Sequence, residues 1–192
     1  MKRVSLTRGY VLAASLRYVE VSYDEPVQKQ FLGLLSRETR EHAPYVDKLK
    51  WYPVAQASDV FRAVVDLHDR DDLASRRALA RLGMFLGEAA TQSYLRLVSR
   101  FLTPALFARK LPEFWARDYV GGNLVVESLI DKKVIAFHHH GIEGFDYLSG
   151  VYGGFLEHCL KLVGVGNARV ETEGFSLEKP GPDEALYTAR WD

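Results

Sequence analysis

An α+β fold, with an N-terminal helical layer packed on a four-stranded antiparallel sheet of β-β-α-β-β order, is what this 192-residue sequence predicts. Three observations carry it. Apolar side chains recur at three- and four-residue intervals over most of the first 120 residues, the period of helices that bury one face. At Gly121-Gly122-Asn123 that period gives way to short runs rich in β-branched and apolar residues. One further helical stretch, 145–163, divides those runs two and two. The expected organisation is a single domain over 1–192, mainly helical through 120 and β-β-α-β-β from 121 onward.

The elements follow in order. Leu12, Leu16, Val19 and Tyr23 succeed one another at offsets of 4, 3 and 4, one face of a helix over about residues 8–23. Asp24 supplies a cap for the next helix and Pro26 sits in its first turn. Val27, Phe31, Leu34 and Leu35 form its apolar stripe, and it is expected to end near His42-Ala43-Pro44. Residues 45–57, with Trp51-Tyr52-Pro53, read as a loop. Ser58 reads as the cap of a short helix carrying Phe61, Val64 and Val65. The mixed-charge run 66–72 reads as a solvated helix–helix junction. Leu79, Leu82, Leu86, Ala89 and Ala90 mark the next helix, and Tyr94, Leu97, Val98 and Phe101 continue its period. Thr103-Pro104 starts another in cap-then-proline form, followed by two short turns around Leu106-Phe107 and Phe114-Trp115. Residues 124–130 and 134–140 read as an antiparallel hairpin broken by Asp131-Lys132-Lys133. The helix 145–163 stops at Gly164-Val165-Gly166-Asn167. Residues 169–176 and 185–191 alternate as strands on either side of the turn Lys179-Pro180-Gly181-Pro182-Asp183.

Composition excludes several classes. The 25 basic and 25 acidic side chains cancel, whereas a sequence-independent nucleic-acid binder needs excess positive charge. No apolar run approaches the ~18 residues of a membrane span. Cys159 is the one cysteine, so no internal disulfide forms. No signal-peptide apolar region follows Met1-Lys2-Arg3-Val4-Ser5-Leu6, and a cytoplasmic location is expected.

The most conspicuous run is His138-His139-His140. Strand alternation puts His138 and His140 on one face and His139 on the other. A His-x-His pair can hold zinc or another first-row metal if a third ligand joins it, and His158, Cys159 and Glu143 are the residues near enough in sequence. The same run also suits a partly exposed sheet edge whose imidazoles merely titrate. No metal or other cofactor is expected; His138, His140 and His158 are the residues that would hold one. No nucleophilic triad assembles: Ser149-Gly150 lacks the leading glycine of a nucleophile elbow, and Cys159 falls on the apolar stripe of its helix. Gly150, Gly153 and Gly154 lie inside that helix rather than in a strand-to-helix turn, which excludes a phosphate loop. Glycines 150 and 154 are one turn apart and let the helix approach another backbone. Tyr94, Phe101, Phe107, Trp115, Phe137 and Tyr152 are the candidate lining of an apolar pocket between helices and sheet, suited to a small hydrophobic ligand.

The opening Gly9-Tyr10-Val11 and the helix end Tyr18-Val19-Glu20-Val21-Ser22-Tyr23 resemble the start of haem nitric-oxide-binding domains. The run from Leu124 through the glycine-containing helix to the last strand resembles their β-β-α-β-β half, and also that of the 4-vinyl-reductase, or hydrocarbon-binding, domain. Trp51-Tyr52-Pro53 and the Leu82-Gly83 helix resemble segments of a broad family of myxobacterial paralogues. The resemblance spans nearly the whole chain and implies a sensor or ligand-binding module without catalysis. It also implies a residue-by-residue comparison for haem. Haem-binding members carry a proximal histidine on a helix before the sheet, but no histidine occurs between Met84 and Phe137, and His68 comes too early. Those members hold the propionates with a Tyr-x-Ser-x-Arg strand. The matching stretch here, Ala136-Phe137-His138-His139-His140-Gly141, has no arginine. Zinc of the kind found in some hydrocarbon-binding relatives needs a cysteine-rich loop that one cysteine does not supply.

The expected function is a haem-free sensory or regulatory module that binds a small hydrophobic ligand between helices and sheet. The alternative is a protein-interaction or scaffold module that pairs with itself, and the second alternative is a histidine-based metal-binding protein.

Overall fold

A computed structural model of the chain describes residues 2–90 and 103–192. Tyr94 and Phe101, with Leu97 and Val98, lie outside the described residues.

The chain enters through a three-residue strand, β1 (Leu6–Arg8), and passes directly into helix α1 (Gly9–Ser22). Leu12 and Val19 are buried on its inner face, as the spacing predicts, and Leu16 and Tyr23 are half-buried beside them. Asp24 caps α2 (Glu25–Leu34), its carboxylate accepting the Val27 N–H at 3.2 Å, with Pro26 in the first turn. The helix expected to run to about residue 42 is in fact two. Leu35 is extended, with ψ at 147°, and Ser36 caps α3 (Arg37–His42) by accepting the Thr39 N–H at 3.2 Å. The Ser36 N–H is itself held by Asp59 at 2.8 Å, so the cap competes successfully with helix continuation.

The loop expected over 45–57 also differs. It contains β2 (Trp51–Pro53), which pairs antiparallel with β1, Tyr52 opposite Thr7. Helix α4 (Val54–Asp66) begins immediately after Pro53, so Ser58 is a buried interior residue and not a cap. In the charged junction that follows, Asp66 bridges Arg62 and Arg70, and Asp71 accepts the Ala74 N–H at 2.7 Å in the first turn of α5 (Asp72–Ala90). Thr103 then caps α6 (Pro104–Asp118), which is one continuous helix and not two turns. Pro112 lies inside it; a proline has no N–H to give the carbonyl one turn earlier, which is why the sequence reads as broken there. β3 (Tyr119–Val120) returns to β1 and completes a small sheet of order β2-β1-β3.

The larger sheet realises the predicted β-β-α-β-β order. It comprises β4 (Asn123–Leu129), β5 (Val134–His140), β6 (Arg169–Glu173) and β7 (Glu184–Arg190), with α7 (Leu148–Leu162) between β5 and β6. The spatial order is β4-β5-β7-β6 and every pairing is antiparallel. The fold is therefore α+β. Leu124, Ile135, Phe137, His139, Ala185, Tyr187 and Ala189 fill the inner face of this sheet. Val125, Val134, His138, His140 and Leu186 point the other way and keep contact with solvent. Helix α7 meets α5 backbone to backbone. A methyl at Gly154 would overlap the Ala80 carbonyl, and one at Gly83 would overlap the Val151 carbonyl. No described helix is long and apolar enough to cross a membrane.

Candidate functional site

Strand β5 aims three odd-numbered side chains inward, and the last of them is a histidine. His139 is fully buried. Its ring lies 4.2 Å from that of Trp115 on α6 and 4.4 Å from that of Tyr152 on α7. The Tyr187 ring of β7 meets it edge-on at 5.4 Å. The stack extends outward: Trp115 to Tyr119 at 4.0 Å, Tyr152 to Phe155 at 5.2 Å, Tyr119 to Phe145 at 5.9 Å, and Phe145 to Phe61 at 5.9 Å. Three elements far apart in sequence, α6, α7 and β7, thus converge on one imidazole of β5. Aromatic pairs at such separations each add about 0.5–1.5 kcal/mol beyond their buried area.

The electrostatics follow from the burial. His139 Nδ1 shares a hydrogen bond of 3.3 Å with the Tyr187 hydroxyl, while Nε2 has no partner among the described residues. Burial pushes the His139 imidazole down to about 3, with a smaller push from the His140 charge. The ring is neutral at ordinary pH. Burial likewise raises the phenols of Tyr119, Tyr152 and Tyr187 above their usual range. It pushes the Cys159 thiol up to about 12, so no thiolate is available. His139, Tyr119, Tyr152, Tyr187 and Cys159 are thus held in their neutral forms, burial being the first cause at each and the Asp118 charge adding to it at Tyr119 and Tyr152.

Of the candidate pocket residues, Phe107, Trp115, Phe137 and Tyr152 are all buried. Trp115 and Tyr152 belong to the stack around His139, and the Trp115 indole N–H donates to the Gly121 carbonyl at 3.2 Å. The metal candidates are not brought together. His138 and His140 share the outer face of the sheet, their rings 6.4 Å apart, and His140 faces Glu184 at 3.0 Å. His158 lies on α7, its ring against Gly87 of α5, with Nε2 unpartnered among the described residues. Among the described residues no three His, Cys, Asp or Glu side chains are placed to hold a metal ion. The spacing marks His138 and His140, whereas the structure buries the histidine between them. The signal for it was present: Ile135 and Phe137 set the parity of the buried face, and His139 continues it.

Taken together, these elements define an H-NOX fold. The chain superposes on the Fe(II) unliganded H-NOX protein from K. algicida with a TM-score of 0.72, 11% identity, and coverage of 96% of each chain. An H-NOX protein from S. oneidensis in the Fe(II)NO state gives a TM-score of 0.68 at 12% identity, covering 96% of this chain and 99% of that one. A further structure, described under protein-induced porphyrin distortion and heme redox potential, gives 0.67 at 11% identity, with coverage of 96% and 99%. No protein-family model and no curated protein matches the sequence.

Proposed function

We propose that residues 1–192 act as one non-catalytic sensory or regulatory unit that uses the H-NOX architecture without haem. The observation that supports this reading is the aromatic stack on His139. A porphyrin needs van der Waals contact of about 3.5–4 Å on each of its faces, hence a slot about 7 Å wide. The rings flanking His139 stand at 4.2 and 4.4 Å and leave no such slot. The unpartnered Nε2 of His139 is a donor of the right chemistry, but the Trp115 and Tyr152 rings already pack against that imidazole. Propionates also need cationic donors, and no arginine lies between Val134 and Gly144. The residues present do not fit haem. Titration of purified protein with haemin tests this: no stoichiometric Soret shift is expected. A tight one-to-one complex whose spectrum changes in His139→Ala would overturn the reading.

A small hydrophobic ligand among Phe107, Trp115, Phe137 and Tyr152 would have to enter among four buried side chains, of which Trp115 and Tyr152 already meet edge-on at 5.9 Å. The packing therefore favours output through protein contact, and we assign self-association to exposed apolar residues. Tyr45 and Leu49 are 83% and 81% exposed on the segment before β2, with Trp51 beside them under the Arg8 guanidinium at 3.9 Å. A cytoplasmic setting goes with this role. Light scattering is expected to report a dimer that dissociates in the Tyr45→Lys/Leu49→Lys variant; a strict monomer at all concentrations would sink the self-association.

A further inference from the structure

The larger sheet is electrically lopsided. At the end where β5 leaves its hairpin turn, the side chains of Lys132, Lys133, Lys161, Arg169 and Arg190 line one groove of about 680 Å3. Two carboxylates, Glu171 and Asp192, share it, and Asn167 donates to Asp192 at 3.3 Å. The opposite end carries Glu173 and Glu184 beside His138 and His140. In a chain whose net charge is zero, this concentration is local, not compositional.

The arrangement of the two arginines is the telling part. Arg169 and Arg190 are directly opposite each other on β6 and β7, so both project from the same face. Like charges at that position repel and weaken the strand pair. Several arginines elsewhere are paired: Arg37 with Glu41, Arg62 with Asp59 and Asp66, Arg76 with Asp72, Arg117 with Asp118. Among the described residues neither Arg169 nor Arg190 has an ion-pair partner, nor do Lys132, Lys133 and Lys161, and residues 91–102 contain no carboxylate to provide one. The turn is fixed to the strand end by the Trp191 N–H on the Lys133 carbonyl at 3.3 Å, and Lys133 holds a left-handed φ of 54°. Half-buried Trp191 gives the groove an apolar wall.

The geometry points to a binding site for a small phosphorylated molecule carrying two or more negative charges, clasped between the Arg169–Arg190 pair and the Lys132-Lys133 turn. The concave shape favours a small molecule over an acidic protein surface, since the volume falls within the roughly 300–1,000 Å3 of ordinary ligand sites. Guanidinium forks match phosphate oxygens two at a time, and an anion between the two arginines converts their repulsion into a shared attraction.

The test uses the full chain and inorganic pyrophosphate as probe, by calorimetry and thermal shift at constant ionic strength. Pyrophosphate is expected to bind one-to-one and to raise the melting temperature. Arg169→Gln/Arg190→Gln should weaken binding by about tenfold or more, since a charged hydrogen bond contributes about 1.5–3 kcal/mol and 1.4 kcal/mol is tenfold. Lys132→Gln/Lys133→Gln, confined to an exposed turn and so unable to disturb the strand ladder, should also weaken it. No binding at millimolar pyrophosphate, or binding indifferent to both double variants, would overturn the proposal. So would a salt-sensitive dimer, lost in Arg169→Gln/Arg190→Gln, which would mean that the acidic end of a second copy fills the groove.

Discussion

Strand β5 carries the same side chain three times in succession, and its two faces treat it in opposite ways. His139 is sealed among Trp115, Tyr152 and Tyr187, neutral and hydrogen-bonded through one nitrogen only. His138 and His140, one residue to either side, stand on the outer face, where His140 meets an exposed glutamate. Residue type decides nothing here; the pleat does. The inner imidazole behaves as a flat, polarisable core residue whose charged form is disfavoured by burial, while the outer pair keeps contact with solvent.

The sharpest way to break the contrast is to put a charge at each position. His139→Asp puts a carboxylate into a fully buried, ring-lined site, which costs several kcal/mol, about 3–5. For a chain of this length that is a fall in melting temperature of about 6–20 °C. His138→Asp on the outer face should stay within about 0.5 kcal/mol of the parent. Equal losses in the two variants, measured by thermal or urea denaturation, would mean that the two faces are not distinct.

Acid titration sharpens it next. His139 has an ordinary value of 6.5 and is pushed to about 3 in the folded chain. Below 6.5 the unfolded chain takes up a proton that the native chain refuses. The stability tied to His139 is therefore complete above about pH 6.5 and is lost as pH falls towards 3, by up to about 1.4 kcal/mol per pH unit. His139→Gln cannot titrate and should flatten the stability curve between pH 6 and 4 relative to the parent, which cancels the common contribution of the carboxylates. A curve that stays parallel to the parent's would show that the buried ring is protonated in the native state.

Much of this was legible in sequence, and the failures have physical causes. The Asp24 and Thr103 caps announced their helices because a short acceptor followed by proline has few other uses. The strand Val134–His140 showed its bounds through a polar turn on one side and Gly141 on the other. Strands β1, β2 and β3 were invisible because two or three residues hold too little period to detect; they exist only through pairing with one another. Helix α6 was hidden by Pro112, and the end of α2 by an apolar stripe that continues through Leu35 while the backbone does not. The centre was the least readable. Its parity was available from Ile135 and Phe137, but the convergence of Trp115, Tyr152 and Tyr187 on His139 depends on where α6, α7 and β7 dock, which no local signal encodes.

The smallest expected effect belongs to the outer face itself. His140 and Glu184 approach to 3.0 Å, with side chains 31% and 68% exposed, and the pair is ionic only when the imidazole is protonated. An exposed pair of this kind contributes about 0.2–1 kcal/mol and is screened by salt. Glu184→Gln should therefore lower the melting temperature by no more than about 1–4 °C at acidic pH, and by less in high salt, since about 2–4 °C corresponds to each kcal/mol for a chain of this size. Measuring it beside His139→Asp places the two faces of one strand on one scale. A loss for Glu184→Gln as large as that for His139→Asp, or one that salt does not diminish, would show the outer face to be covered in solution, and the division of β5 into a sealed side and an open side would fail.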